Sequence, residues 1–207
     1  MGTVNPEGNA DTSKRGRSYV LLITLVAAFG GFLFGYDTAV VSGAIGFLRS
    51  HFQLSANLTG WAASSMLMGC MAGAMLGGPL GDRIGRKRGL MLCAALFAVS
   101  AIVSAVPVTL GQFAWARFAG GLAIGAASIL SPIYIAEISP ERGRGRLVSL
   151  YQLAIVIGIL GVFFVNLQIQ RLGDEAWNVS IGWRWMFGSL AFPAAAFGLL
   201  LIYRNLL

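Results

Sequence analysis

Six apolar stretches dominate the sequence, and each is long enough to cross a lipid bilayer. The hydrocarbon core of a bilayer is about 30 Å thick, which about 20 residues of helix can span. Hydrophobic residues make up 57% of the chain and charged residues 11%, whereas a soluble domain carries about 25% charged residues. Because lipid offers the main chain no hydrogen bonds, the stretches must be helices. We predict spans over residues 19–48, 58–80, 89–106, 110–136, 147–170 and 183–203.

The basic residues lie in the short connections, and most lie on one side of the predicted membrane. A net charge of +7 would suggest nucleic acid as the partner of a soluble protein, but clusters between apolar spans argue for a lipid bilayer instead. Cytoplasmic connections carry the excess of Lys and Arg, so we predict a multi-pass protein of the cell membrane with both termini in the cytoplasm. The cytoplasmic side would carry Lys14, Arg15, Arg17, Arg83, Arg86, Lys87, Arg88, Arg142, Arg144, Arg146 and Arg204, and the other side Arg49, Arg171 and Arg184.

The spans form two triplets, which we place in one domain over residues 19–207 behind a cytoplasmic tail over residues 1–18. Because three is odd, the triplets must insert with opposite orientation, which is the inverted repeat common in secondary transporters. The first span is long, and glycines over residues 30–35 offer places to bend. Small residues four positions apart, over residues 69–73 and 121–125, predict one face on the second helix and one on the fourth at which another helix can approach closely.

Two ionisable residues lie inside predicted spans, Asp37 in the first and Arg117 in the fourth. An unpaired charge at a helix centre costs about 2.5–3.5 kcal/mol on insertion scales, so we expect these two to pair, in a cavity in the outer half of the membrane. An apolar wall favours the neutral carboxyl, and a nearby guanidinium favours the carboxylate. Movement of Asp37 relative to Arg117 would therefore bind or release a proton. A static ion pair that fixes helix register is the alternative.

Two further carboxylates, Asp82 and Glu137, end the second and fourth spans beside basic clusters. A carboxylate at a helix C-terminus meets the negative end of the helix dipole, so each needs a cation nearby. We expect latches between helices there, and simple anchoring at the membrane interface is the alternative. The sequons at Asn57 and Asn178 lie on predicted outer loops, but such tripeptides often arise by chance.

Four motifs, in order along residues 19–205, resemble the sugar porter family of the major facilitator superfamily. They are GFLFGYDTAVVSG (31–43), GPLGDRIGRK (78–87), RFAGGLAIG (117–125) followed by PIYIAE (132–137), and GWRWMF (182–187). The resemblance implies an all-α integral membrane fold of six transmembrane helices in a 3+3 inverted repeat, half of a twelve-helix carrier. The C-terminal six-helix half of that fold is not present in the sequence, so we expect the chain to be a fragment.

The resemblance also implies a function, transport of a hexose, pentose or polyol by alternating access. Asp37 and Arg117 match the pair of the proton-coupled members, which implies proton symport. Gln152 matches the glutamine that hydrogen-bonds sugar hydroxyls, and an amide offers both donors and acceptors for that purpose. An apolar wall against the sugar ring would come from Phe34, Ile155 and Ile159. The family's cytoplasmic latch, which favours the outward-open state, matches Asp82, Arg83, Arg86, Glu137 and Arg144.

Other functions remain open on the sequence. The solute could be an organic acid or a cyclitol, or the chain could be a sugar sensor or a partner subunit that does not transport. We find no nucleophile–base pair, phosphate-binding loop or metal-ligand spacing, and therefore expect no enzymatic activity, no cofactor and no metal. Cys70 and Cys93 lie in predicted spans, where we expect them to serve as small packing residues.

Overall fold

Helices account for nearly all of the computed structural model, which describes the main chain of residues 6–203 and the side chains of Thr24 and of residues 28–201 other than Arg142. Within that part of the chain, six helical segments are long and apolar enough to cross a membrane, which confirms the six predicted spans. The helices are α1 (Pro6–Phe52), α2 (Ala56–Ile84), α3 (Arg86–Ala105), α4 (Leu110–Ile138), α5 (Arg144–Gln170), α6 (Glu175–Trp177), α7 (Trp183–Gly188) and α8 (Ala191–Tyr203), with a 3-10 turn over Glu141–Gly143 and a π turn over Asn178–Gly182.

The connections between the first four helices are short and use local side-chain or glycine chemistry. The hydroxyls of Ser55 and Thr109 accept hydrogen bonds from main-chain N–H groups in the first turns of α2 and α4, which is the usual N-cap arrangement. Gly85, the single residue between α2 and α3, has φ of 86°, a conformation that costs glycine little. The turn at Gly85 and the α4–α5 connection over residues 139–143, together with the basic residues that flank them, form what we call the basic end of the bundle.

The first helix extends beyond the predicted span at both ends. It begins at Pro6, so the main chain of residues 6–18, the predicted cytoplasmic tail, is helical. It also runs as one helix past residues 30–35, whose glycines we expected to offer places to bend. Gly31 and Gly35 instead lie against the main-chain carbonyl oxygens of Tyr151 and Ile155 on α5, because the missing side chains let a second helix approach. Arg204 and the side chains of Lys14, Arg15 and Arg17 lie outside the described residues.

The sixth span also differs, because it is divided where we predicted one continuous helix over 183–203. It runs over Glu175–Leu201 and contains the π turn, α7 and α8, with a break at Ser189 and Leu190. Pro193 accounts for the break, since proline has no N–H to give to the carbonyl of Ser189 one turn earlier.

Two helix interfaces are closed by glycines at which a Cβ atom would collide with a main-chain carbonyl of the opposite helix. Between α2 and α4 these are Gly69, Gly73, Gly121 and Gly125, and between α1 and α5 they are Gly31, Gly35 and Gly158. The close approach predicted for residues 69–73 and 121–125 is thus confirmed. Because α1 and α4 open the two triplets and α5 and α2 are the middle helices, exchanging the triplets exchanges the two interfaces, as an inverted repeat requires.

The two ends of the bundle have different anchoring residues. All five tryptophans of the chain lie at the end opposite the basic end, and Trp61, Trp115 and Trp185 are exposed. Tryptophan concentrates at membrane–water interfaces, where its ring is half in the apolar phase. The exposed apolar side chains of the spans lie between this tryptophan end and the basic end, which fits a bilayer-spanning bundle.

Candidate functional site

The bundle interior contains an ion pair between Asp37 on α1 and Arg117 on α4. The guanidinium Nη1 lies 2.5 Å from the carboxylate Oδ1, across 80 positions of sequence. Their exposed fractions are 0% and 1%, so each buried charge has the partner that the sequence led us to expect. The pair lies in the packed interior, however, and not on the wall of an open cavity as we had expected.

The remaining contacts of the pair are unequal. Arg117 Nη2 donates to the sulfur of Met66 at 2.8 Å and lies 3.4 Å from the main-chain oxygen of Asp37. The guanidinium carbon lies 5.2 Å from the centre of the Phe187 ring. On the acid, Oδ2 is buried and has no hydrogen-bond partner among the described residues. Because a buried carboxylate oxygen without a donor is costly, Oδ2 is the atom at which a proton would relieve that cost.

Helix α7 is fixed against this pair from the side. The hydroxyl of Ser189 donates to the Met186 carbonyl at 2.7 Å, so the Tyr36 hydroxyl, 2.9 Å from Ser189 Oγ, is its donor. Phe187 packs edge-on against Phe113 with ring centres 5.0 Å apart. Met66 and Phe187 were not predicted as functional residues, because a methionine and a phenylalanine in apolar spans carry no signal of this kind. Phe187 does end one of the four recognised motifs.

The residues predicted to bind sugar lie on one edge of the bundle. Gln152 on α5 is exposed and makes no hydrogen bond within the described part of the chain, while Ile155 and Ile159 are half-buried. Positions three and four apart share a helix face, so the three side chains of α5 line up. Phe34 on α1 is also half-buried, next to Gly35, which touches the Ile155 main chain. The α1–α5 contact therefore carries the exposed amide of Gln152 on the same helix face as the apolar side chains of Ile155 and Ile159.

At the basic end, the structure brings together three of the five residues predicted as a latch. Arg86, the first residue of α3, contacts the Asp82 carboxylate at 2.5 Å and the Glu137 carboxylate at 3.1 Å. One guanidinium thus joins the ends of α2 and α4 to α3, beside an open cavity of about 780 Å³. Arg83 and Arg144 are exposed, and neither makes an ion pair with the described residues.

The two sequons have different surroundings. Asn57 is exposed in the first turn of α2, whereas Asn178 is 3% exposed. The Asn178 amide nitrogen donates to the carbonyl oxygens of Gln170, Gly173 and Asp174 at 2.9, 3.3 and 3.0 Å. Attachment of a glycan to this nitrogen would break the contacts that hold the turn after α5, so Asn178 has a structural use that its sequon does not indicate.

Comparison with known proteins identifies the family to which the chain belongs. The profile of the family described as Sugar (and other) transporter matches residues 23–204. The chain is 46% identical over 191 residues to the Arabinose-proton symporter of Bacillus subtilis, which covers 92% of this chain and 41% of that protein. It is 43% identical over 212 residues to the D-xylose-proton symporter of Escherichia coli K12, covering 90% of this chain and 43% of that protein. These relatives are transporters, and the chain spans somewhat under half of their length.

The fold agrees with solved structures of the same group. The proton:xylose symporter XylE bound to 6-bromo-6-deoxy-D-glucose, a protein of the major facilitator superfamily, superposes with a TM-score of 0.87 at 42% identity, over 91% of this chain and 45% of that one. A partially occluded inward-open structure of XylE from E. coli gives the same score over 90% of this chain and 48% of that one. The matched part is the N-terminal half of the fold. The chain therefore belongs to the sugar transporter family of the major facilitator superfamily, as a multi-pass membrane protein.

Proposed function

We propose that the chain supplies the N-terminal half of a proton-coupled sugar carrier that works by alternating access, with Asp37 and Arg117 as its proton-coupling pair. The observation that carries this proposal is the buried ion pair in which one oxygen of Asp37, Oδ2, has no hydrogen-bond partner among the described residues. Relatives that are 36–46% identical to the chain over the aligned residues are named as proton symporters of arabinose, xylose or galactose. A buried carboxylic acid such as Asp37 is costly in a membrane interior, so its presence there indicates a functional site.

The coupling follows from the charges of the pair. With both groups ionised, the Coulomb attraction is strong because the surroundings are apolar, and it holds α1 against α4. A proton on Oδ2 removes the negative charge and leaves only a hydrogen bond between Asp37 and Arg117. The helices are then free to adopt a different spacing, so proton binding and conformational change are linked in both directions.

The sugar site is linked to the pair through α1. Phe34 lies one helical turn before Asp37, and Gly35 between them contacts α5 near Gln152. A displacement of α1 at Asp37 therefore also moves Phe34 relative to the amide of Gln152. We propose that Gln152 hydrogen-bonds sugar hydroxyls, that Phe34, Ile155 and Ile159 pack on the apolar ring face, and that a C-terminal six-helix half completes the site. The partners are then a sugar, a proton, the bilayer and that second half.

We place the basic end in the cytoplasm, because the excess of Lys and Arg lies there, with both termini on the same side. The contacts of Arg86 with Asp82 and Glu137 would then form the core of a cytoplasmic latch that holds the outward-open state. Arg83 and Arg144, which are exposed, would meet their partners on the C-terminal half. We further infer that the chain is a carrier component and not an enzyme, since its relatives are named as transporters.

The experiment is proton-driven uptake by the completed carrier. The chain is co-expressed with the C-terminal half of the E. coli D-xylose-proton symporter, and vesicles are given labelled arabinose, xylose, galactose or glucose under an imposed pH gradient. Each half expressed alone is the control, and a protonophore removes the gradient. We expect accumulation only with both halves and only with the gradient. If the co-expressed halves take up sugar equally well without a gradient, proton coupling is contradicted. If the assembled pair takes up none of these sugars, the proposed substrate class is contradicted.

A further inference from the structure

Two uncharged side chains contact Arg117 on the sides that Asp37 leaves open. Met66, on α2, is 2% exposed and accepts a hydrogen bond from Nη2 at 2.8 Å. Phe187, on α7, is fully buried and presents its ring to the guanidinium at 5.2 Å. We call these two residues the neutral cradle of Arg117. They come from helices other than those that carry the ion pair, and neither contact uses an atom of Asp37.

The cradle matters most when Asp37 is neutral. Arginine keeps its charge in proteins, so protonation of Asp37 leaves a buried cation without a counterion, and a buried unpaired charge is strongly disfavoured. A thioether sulfur is a weak acceptor, and an aromatic face attracts a cation more strongly when both are desolvated. Neither contact involves the charge of Asp37, so in the protonated state they would be the main stabilising contacts of the guanidinium.

The geometry fixes the cradle in place. The Tyr36–Ser189 hydrogen bond joins the C-terminal end of α7 to α1, and Phe113 packs on Phe187 from α4. Two ionisable groups also lie close to the pair, the Tyr36 hydroxyl, which is bonded to Ser189, and the thiol of Cys70 one turn after Met66 on α2. Arg184, also on α7, is directed away, since its guanidinium lies over the ring of Trp183 and its Nη1 donates to Ala105.

We propose that Met66 and Phe187 are positioning residues that stabilise Arg117 when Asp37 is protonated and Arg117 has no counterion. They thereby favour protonation of Asp37 and set the pH range of coupling. The inference rests on the proposed function, since it assumes that Asp37 is the group that takes the proton. A weaker cradle makes the protonated state less favourable, so coupling then requires a higher proton concentration. A stronger acceptor at position 66 has the opposite effect.

The test is the pH profile of gradient-driven uptake by the completed carrier. We expect Met66→Leu and Phe187→Leu to move the pH of half-maximal uptake towards acid by roughly half a unit or more, about threefold in proton concentration. Met66→Gln places an amide oxygen in the cradle and should move the midpoint towards alkali. Phe187→Tyr keeps the ring face and should keep the parental midpoint. Met68→Leu and Phe192→Leu, at exposed positions of α2 and α8, are the matched controls.

The outcomes separate this inference from the proposed function. If Asp37→Asn removes the pH dependence while Met66→Gln and Phe187→Leu keep the parental midpoint, the cradle has no part in coupling and the proposed function stands. If Asp37→Asn leaves the pH dependence intact, the proposed function itself is wrong. A shift in Phe187→Tyr as large as in Phe187→Leu would show that packing, and not the aromatic face, sets the midpoint, and would overturn the inference. Should the leucine variants fail to assemble, the alkaline shift of Met66→Gln decides the question.

Discussion

Gly35 on α1 lies against the main-chain carbonyl of Ile155 on α5 so closely that a methyl group has no room between them. We expect Gly35→Ala to lower the free energy of unfolding by about 1–3 kcal/mol, the usual cost of overpacking a tight interior. Denaturant unfolding in mixed micelles, followed by circular dichroism, measures this change. Gly46→Ala on the same helix is the control, because no atom of the described residues lies within 4 Å of the added carbon. Equal stability of the two variants would show that α1 and α5 are not in the contact described.

The ion pairs of Arg86 predict a small, salt-dependent contribution to stability. Exposed ion pairs contribute about 0.2–1 kcal/mol each, and Arg86 contacts two carboxylates on two helices. We expect a double-mutant cycle of Arg86→Ala and Glu137→Ala to give a coupling energy in that range that disappears in about 1 M salt, where screening reaches about 3 Å. Arg83→Ala removes a neighbouring charge that makes no ion pair with the described residues, so it should not couple to Glu137→Ala. A coupling energy that resists salt would contradict this account of the basic end.

The amide nitrogen of Asn178 predicts a loss of stability, because it donates to three carbonyl oxygens, of which that of Asp174 also accepts the main-chain N–H of Asn178. We expect Asn178→Ala to lower the free energy of unfolding by about 1–3 kcal/mol, the range for leaving buried polar groups unsatisfied. Asn57→Ala, at the exposed sequon, is the matched control and should change stability little. In a glycosylating host, no mass shift should depend on Asn178. A glycan on Asn178 in the folded protein would show that the turn after α5 is not built as described.

Gln152 predicts a loss of sugar binding without a loss of stability, since its side chain is exposed and makes no hydrogen bond with the described residues. One hydrogen bond to a neutral group contributes about 0.5–1.5 kcal/mol, so Gln152→Ala should raise the concentration for half-maximal uptake by roughly 2-fold to 13-fold. Leu153→Ala, at the next exposed position, is the control. Unchanged uptake in Gln152→Ala would favour a solute other than a sugar, such as an organic acid or a cyclitol.

Much of the fold could be predicted because the membrane imposes few choices. Long apolar runs had to be helices, and glycines four positions apart in α2 and α4 marked a helix contact that the structure contains. The pairing of Asp37 with Arg117 followed from the cost of leaving either charge alone. The packing of Gly31 and Gly35 on α5 could not be predicted, because a glycine in a membrane helix serves close packing as well as bending, and sequence alone does not show which helix lies opposite.

The surroundings of the site could not be predicted. Met66 and Phe187 come from α2 and α7, and their contacts with Arg117 depend on a tertiary arrangement that no local pattern encodes. The break in the sixth span depends on the N–H that Pro193 lacks, which a hydropathy pattern does not resolve. Among the latch residues, the motif named five positions, but only the structure shows that Arg86 is the one that bonds both carboxylates.

The most direct test of proton coupling through Asp37 is a comparison of accumulation and exchange in Asp37→Asn of the completed carrier. Asparagine keeps the shape of the side chain but cannot carry the negative charge or exchange the proton, so the coupled step is lost while the helices remain packed. We predict that the variant still exchanges labelled sugar across the membrane at equal concentrations, but no longer accumulates sugar under a pH gradient. Accumulation at the parental level in Asp37→Asn would contradict the account, because the proton would then have to bind elsewhere.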